Sequence, residues 1–208
     1  MAGKKLLVMN LNGLLMHRVP YRNVQYIRAP NGVYGRSGKF AGTIFSYVNR
    51  RNIDGALAIA MGSIRENISF KLDRIHCTDS GYPSLERRNK PLFFKEFNKM
   101  WKNVKKSGPF NVSNTLMIDD KPYKAFLNPD NTAIFPESYD VNDVTDRGLD
   151  PRGELCSYLE AVANAPDVPF YVKDHPFGQL PITSAHPHWK FYSEVKQSLL
   201  DKRAPKIV

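Results

Sequence analysis

The chain has few cysteines, no long apolar run and a shortage of acidic residues, and each absence excludes a class of protein. Cys77 and Cys156 are the only cysteines among 208 residues. Two are too few for a disulfide framework, so a reducing compartment, cytoplasm or nucleus, is expected. No apolar run approaches the roughly 20 residues that cross a bilayer. Asn10 and Asn12 also interrupt the apolar start, which argues against a secretory signal. No membrane association is therefore expected.

The shortage of acidic residues leaves a formal net charge of +10 at pH 7. This charge favours an acidic or phosphorylated protein partner, with nucleic acid as the weaker alternative. The hydrophobic fraction of 42% and the charged fraction of 24% are typical of a folded globular domain. The sequence therefore predicts a single domain over residues 1–200 with a flexible tail at 201–208, and leaves the oligomeric state open.

A short apolar run near the start, Leu6 to Met9, ends abruptly in a polar loop. A continuous apolar run of this length is typical of a parallel strand covered on both faces. Asn10 and Asn12 follow at the predicted carboxyl end, where open α/β sheets place their ligand sites. Taken alone, the stretch fits equally a plain strand followed by an Asn-Gly turn.

Further apolar segments alternate with helical patterns, which predicts an α/β fold with a Rossmann-like parallel sheet flanked by helices. Right-handed crossovers would bring the carboxyl ends of the strands to one edge of the sheet, where Asn10, Met61, Lys95 and Asp119 could share a crevice. The further predicted strands are 55–61, 115–118 and 132–135, and the main predicted helices are 41–51, 92–104, 153–164 and 189–200.

Residues 16–40 form an excursion after the first strand that has no clear period. Long irregular segments inside compact domains are usually functional or mobile, so we interpret this one as an insertion, a hairpin lying over the crevice. Its basic residues are the predicted partner-binding set: Arg18, Arg22, Arg28, Arg36 and Lys39.

Two more stretches make the pattern specific. Thr115 to Ile118 is an apolar run ending in Asp119 and Asp120, and Lys95 lies between the two polar strand ends. With Leu127-Asn128-Pro129 and the segment from Asp174 to Gln179, these motifs resemble the haloacid-dehalogenase superfamily. The likeness is greatest to its carboxy-terminal-domain small phosphatases, the NLI-interacting-factor-like or FCP-homology branch, especially plant members. It extends over nearly the whole chain except residues 16–50.

The resemblance implies a haloacid-dehalogenase fold and a mechanism. In this family an Asp-x-Asp motif ends the first strand, its first aspartate attacks phosphorus and its second acts as general acid and base. A Ser or Thr after the second strand and a lysine hold the phosphoryl oxygens. The last acidic pair, with the first aspartate, holds magnesium.

The present sequence departs from this pattern at three carried-over positions. The nucleophile position falls on Asn10, whose neutral amide cannot attack phosphorus, and the acid/base position falls on Asn12. The hydroxyl position falls on Met61 when Ala60-Met61-Gly62-Ser63 is aligned with the family's Trp-Ser-Ser or Phe-Thr-Ala-Ser pattern. The retained positions are Lys95 and the acidic pair, so that weak magnesium binding by Asn10, Asp119 and Asp120 is the most that is expected.

These departures predict a pseudophosphatase that binds a phosphorylated or acidic partner. The alternative is a magnesium-dependent serine/threonine phosphatase carrying an inactivating Asn10, and a third reading is a basic nucleic-acid-binding module. Met61 and the poorly matching residues 16–50 favour natural loss over an engineered substitution. Without the resemblance, Lys95 could be a surface lysine whose stem covers apolar residues, and Asp119-Asp120 could simply begin a turn.

Overall fold

A five-stranded, wholly parallel sheet forms the centre of the protein. The computed structural model describes residues 4–19, 24–27, 40–104, 108–140, 142–143 and 145–204, with only the backbone at 18–19, 24–27 and 64. The strands of the sheet are β1 (Lys5–Met9), β4 (Phe40–Phe45), β5 (Ile68–Leu72), β8 (Thr115–Ile118) and β9 (Ala133–Ile134). The strand order is β5-β4-β1-β8-β9, and all four neighbouring pairs are parallel. The predicted Rossmann-like α/β architecture is thus confirmed.

Helices cover both faces of this sheet. Alternate residues of β1 point to opposite faces. Leu7 packs in one apolar cluster with helices α1 (Arg50–Met61) and α3 (Glu154–Asn164), and Leu6 packs in another with α2 (Phe97–Val104). The predicted helices 153–164 and 189–200 are confirmed. The α-helices are α1 (Arg50–Met61), α2 (Phe97–Val104), α3 (Glu154–Asn164), α4 (Val168–Asp174) and α5 (Trp189–Arg203), and 3-10 turns occupy Gly62–Asn67, Arg74–His76, Val112–Asn114 and Pro122–Ala125.

The described part of the chain also contains two antiparallel hairpins. The first joins β2 (Met16–Val19) to β3 (Val24–Ile27), so the hairpin predicted within residues 16–40 is confirmed for its backbone. The side chains of the five basic residues predicted there lie outside the described part. The second hairpin joins β6 (Thr78–Pro83) to β7 (Pro91–Phe94).

The predicted order of helix and strand between residues 41 and 61 is wrong. Residues 40–45 form β4, a strand paired on both sides, and residues 50–61 form α1. The run from Gly55 to Met61 is apolar, but its burial is helical, since Ile53, Ala56, Leu57 and Ala60 are buried while Ile59 is 52% exposed. A short apolar run does not distinguish a buried strand from a helix by itself.

The C-terminal helix α5 packs on segments that lead into the sheet edge. Its Tyr192 is buried in a third apolar cluster with Leu92 and Phe94 of β7. The Tyr192 ring stacks on Tyr123 at a centroid distance of 6.0 Å, and Tyr123 follows the acidic pair by three residues. No helix in the described part of the chain is both long and apolar enough to cross a membrane.

Candidate functional site

The register of the sheet brings the ends of three strands together. Met9, the last residue of β1, pairs with Ile44 of β4 on one side and with Ile118 of β8 on the other. The backbone N–H of Asn10 continues the ladder by donating to the Ile118 carbonyl at 2.9 Å. The residues that follow these strands therefore lie at one edge, as the sequence predicted for the ends of β1 and β8 but not for that of β4.

Asn10 is fully buried and forms three polar contacts with its side chain. Its Oδ1 accepts from the Lys95 ammonium at 2.9 Å. Its Nδ2 donates to Asp120 Oδ1 at 2.6 Å and to the backbone carbonyl of Asn12 at 2.6 Å. An ammonium can only donate, and a carbonyl can only accept. The neighbours therefore fix the orientation of the amide, with its oxygen toward Lys95 and its nitrogen toward the two oxygen acceptors.

Asp119 carries the densest set of contacts at this edge. Its Oδ2 accepts from Lys95 at 2.5 Å, while its Oδ1 faces the Lys124 ammonium at 3.3 Å and accepts from the Lys121 backbone N–H at 3.1 Å. Burial alone would raise the pKa of this carboxyl group, but the two lysines outweigh burial and lower it. Asp119 is thus held as a carboxylate that is neutralised by protein cations.

Both lysines are buried, and burial by itself lowers the pKa of each, but their net pKa shifts have opposite directions. Burial lowers the pKa of Lys95, and Asp119 opposes this only in part. At Lys124 the carboxylates of Asp119 and Asp120 outweigh burial and raise the pKa. Lys95 is 1% exposed and lies between β7 and α2. The alternative of a surface lysine is therefore wrong, and so is a helix that includes residues 92–96.

Asp120 is the second carboxylate of the site. Compared with Asp119, it has fewer cationic groups around it, and the loop after β1 approaches it closely. Its Oδ2 accepts from Ser138 Oγ at 2.7 Å. Burial, followed by the charge of Asp119, raises the pKa of Asp120. Gly13 adopts φ of +90°, and a Cβ added there would lie 2.2 Å from Asp120 Oδ2. Only glycine allows the loop after β1 to approach the carboxylate this closely.

The residue that follows the strand beside β1 is Ser46, not Met61. Ser46 therefore supplies a hydroxyl group at the position where the family pattern has one. Met61 ends α1 and packs in the apolar cluster that contains Met9 and Ile44, so its assignment to a strand end is wrong. Ser46 directly follows β4 and is fully buried, and its Oγ has no hydrogen-bond partner within the described structure. Phe45-Ser46 also fits the Phe-Thr pattern to which Ala60-Met61 was compared. The sequence did not identify Ser46 in this role because residues 41–51 are predicted to form a helix.

Comparison with known proteins decides the family. The model of the NLI interacting factor-like phosphatase family matches residues 5–169. The chain belongs to this family. The resemblance seen in the sequence is thereby confirmed, and the matched region contains every residue of the site described above.

Other comparisons add little to this membership. No curated protein matches the chain. Among solved structures, the fission yeast RNA polymerase II CTD phosphatase Fcp1 bound to beryllium fluoride is similar at 14% identity and a TM-score of 0.40. That match covers 96% of the present chain and 64% of the Fcp1 chain.

The residues present in this NLI interacting factor-like chain do not fit the magnesium ion that phosphatases of its type use. Both oxygens of Asp119 face ammonium groups, and Asn10 directs an N–H₂ group at Asp120 where a metal ligand would direct an oxygen. No cluster of three His, Cys, Asp or Glu side chains suited to a metal ion occurs among the described residues. No step through a metal ion is therefore derived for this chain.

Proposed function

We propose that this NLI interacting factor-like domain is catalytically impaired and acts by binding a phosphorylated or acidic protein partner. The observation that supports this most is Asn10, which stands where the family has its attacking aspartate and is held by three hydrogen bonds. The lone pair of an amide nitrogen is delocalised, so Asn10 offers no nucleophile for an aspartyl-phosphate route. Asn12 likewise cannot act as a general acid and base, because its amide neither gains nor loses a proton near neutral pH.

Groups suited to a phosphate remain beside the impaired positions. Ser46 offers a buried hydroxyl that has no hydrogen-bond partner among the described residues, and Lys95 and Lys124 supply two ammonium groups. Charged and hydroxyl donors of this kind are the usual ligands of phosphate oxygens. The net charge of +10 would favour the approach of such a partner. The basic residues within 16–40 that were predicted to bind the partner remain a proposed outer part of this binding surface.

The burial of these groups predicts that a phosphate ligand associates slowly. Ser46, Lys95 and Asp119 are each 1% exposed or less, so a phosphate reaches them only after covering residues move. Association that requires such a change falls below the usual range of about 10⁵–10⁷ M⁻¹s⁻¹. Attraction to a merely basic surface would instead be fast and would weaken steeply with salt, as nucleic-acid binding does.

The test compares arrays of phosphoserine and phosphothreonine peptides with the same peptides lacking phosphate. The matched variants are Ser46→Ala and Thr43→Val, because both hydroxyls are buried and unpartnered within the described structure, but only Ser46 follows the end of β4. We expect phosphate-selective binding that Ser46→Ala weakens by about tenfold and Thr43→Val leaves unchanged, since a hydrogen bond to a charged group contributes about 1.5–3 kcal/mol. Equal binding of both peptide sets, or equal effects of both variants, would refute the proposal.

A second candidate function is supported by the same Ser46. With Ser46 in the hydroxyl position, the departures from the family pattern are confined to Asn10 and Asn12, and Met61 no longer argues for natural loss. A serine/threonine phosphatase inactivated at Asn10 is therefore the main alternative. The substitutions Asn10→Asp and Asn12→Asp would then restore hydrolysis of phosphate esters.

A reducing location, cytoplasm or nucleus, is proposed for either function. The chain has two cysteines, Cys77 and Cys156, which are too few for the disulfide framework typical of oxidising compartments.

A further inference from the structure

We infer that the side-chain amide of Asn10 takes the place of a divalent cation, so that the site is complete without metal. The inference concerns the same residues as the proposed function, but it does not depend on the identity or existence of a partner. It rests on which atoms converge on Asn10 and on the balance of buried charge.

The convergence is the first argument. Asn10 Nδ2 lies 2.6 Å from a carboxylate oxygen of Asp120 and 2.6 Å from the backbone carbonyl of Asn12. Carboxylate and carbonyl oxygens are the ligand types that magnesium prefers. In this chain the two hydrogens of an amide satisfy both oxygens. A cation that bound them would have to displace the amide nitrogen from their midst.

A carboxylate at position 10 would reverse this situation. The oxygen replacing Nδ2 would face two other oxygens at hydrogen-bond distance, and neither of these could donate a hydrogen. Such an arrangement requires a cation or a proton between the groups. The change from Asp to Asn therefore does more than remove a nucleophile, because it also removes the need for a cation.

The charge balance is the second argument. Two carboxylates, Asp119 and Asp120, lie beside two ammonium groups, Lys95 and Lys124, and all four side chains are buried. The neutral Asn10 leaves this set balanced. A divalent cation would add two positive charges without an added carboxylate, and an uncompensated buried charge is strongly unfavourable.

The test is a magnesium titration of the native chain, monitored both by thermal unfolding and by isothermal titration calorimetry. We expect no saturable heat and no rise in Tm beyond that given by choline chloride at equal ionic strength. Asn10→Asp should gain a magnesium-dependent rise in Tm of roughly 5 °C at about 100 times its Kd. The matched double variant Asn10→Asp/Asp120→Asn should lose that gain.

Each outcome decides the inference. Saturable magnesium binding by the native chain that Asp120→Asn abolishes would overturn it. An Asn10→Asp chain that folds but gains no response would also overturn it, because the amide would then not be what replaces the cation. If Asn10→Asp folds only in the presence of magnesium, the inference is upheld by that dependence.

The proposed function fails separately from this inference. Phosphopeptide binding by the native chain should be the same in EDTA and in magnesium. A chain that binds no phosphopeptide yet shows the predicted magnesium responses would refute the proposed function and leave the inference intact.

Discussion

The ends of β1 and β8 lie side by side, yet they carry opposite chemistry. At the end of β8, Asp119 and Asp120 keep their carboxylates, and Asp119 holds two lysines. At the end of β1, Asn10 and Asn12 are amides, and Asn10 serves as both donor and acceptor to its neighbours. The β1 half of the buried site is therefore neutral, while the β8 half is a network of ion pairs.

The β8 half should dominate stability because it contains the buried ion pairs. Lys95→Met would leave Asp119 with Lys124 as its one remaining ammonium partner in the described structure. Breaking a buried pair on one side costs about 3–5 kcal/mol, and the retained Lys124 puts the expected loss near 3 kcal/mol. The free energy of unfolding in urea measures it.

Lys121→Met is the matched control for that variant. Lys121 pairs with Glu86 at 3.2 Å on the surface, with side chains that are 34% and 46% exposed. Its backbone contact with Asp119 would survive the substitution. The expected loss is about 0–1 kcal/mol. Similar losses for the two variants would mean that the buried network is not special.

The close approach of the two halves can be tested at Gly13. Gly13→Ala places a Cβ against Asp120 in a backbone conformation with φ of +90°. We expect a loss of about 2 kcal/mol or more in unfolding free energy, because strain and a clash combine.

Gly55→Ala is the control for the glycine change. Gly55 lies within α1 and would meet nothing within 4 Å if it gained a Cβ. Alanine there should stabilise the protein by up to about 1 kcal/mol. If Gly13→Ala were equally harmless, the loop after β1 could not be pressed against Asp120 as described.

A smaller effect is expected at Glu96, the neighbour of Lys95. Burial would raise the pKa of Glu96, but hydrogen bonds from Arg203 and Thr78 outweigh it and lower the pKa from its usual 4.5. A lowered carboxyl pKa contributes stability that is fully present above the unfolded value and is lost as pH falls through the folded value. Arg203→Gln should therefore cost about 1 kcal/mol at neutral pH, a modest value because Arg203 is half-exposed.

The pH dependence separates this contact from a general effect of charge. Below about pH 4.5 the gap between native protein and Arg203→Gln should narrow, because Glu96 becomes protonated in both. Lys202→Gln removes the same charge from the same helical turn and serves as the control. A gap that stayed constant into acid, or that Lys202→Gln reproduced, would contradict the assigned role of Glu96.

Much of the sheet edge could be predicted from the sequence. β1 and β8 are uninterrupted apolar runs with polar ends, so the convergence of Asn10 and Asp119 followed from the parallel topology. The periodicity of α3 was equally clear. The prediction for residues 40–61 was wrong because both apolar stretches in this segment are short, and tertiary pairing decided between strand and helix.

The missing parts of the site have physical reasons of their own. Ser46 could not be identified as a strand-end residue because the segment that forms β4 was predicted to be a helix. Lys124 carried no signal in the sequence, since nothing in Pro122-Tyr123-Lys124-Ala125 marks its side chain as buried. Only the fold, which places the 3-10 turn over Asp119, reveals Lys124 as a second counter-ion.

Catalytic impairment is tested most directly by hydrolysis of an aryl phosphate by the native chain, by Asn10→Asp and by Asn10→Asp/Asn12→Asp, each with magnesium. We expect no turnover by the native chain above that of an Asn10→Asp/Asn12→Asp/Asp119→Asn control. Strong turnover restored by the aspartates would favour the inactivated-phosphatase alternative for the origin of Asn10. Turnover by the native chain that Asn10→Ala or Asp119→Asn abolishes would contradict the central claim that the β1 half of the site has lost its chemistry.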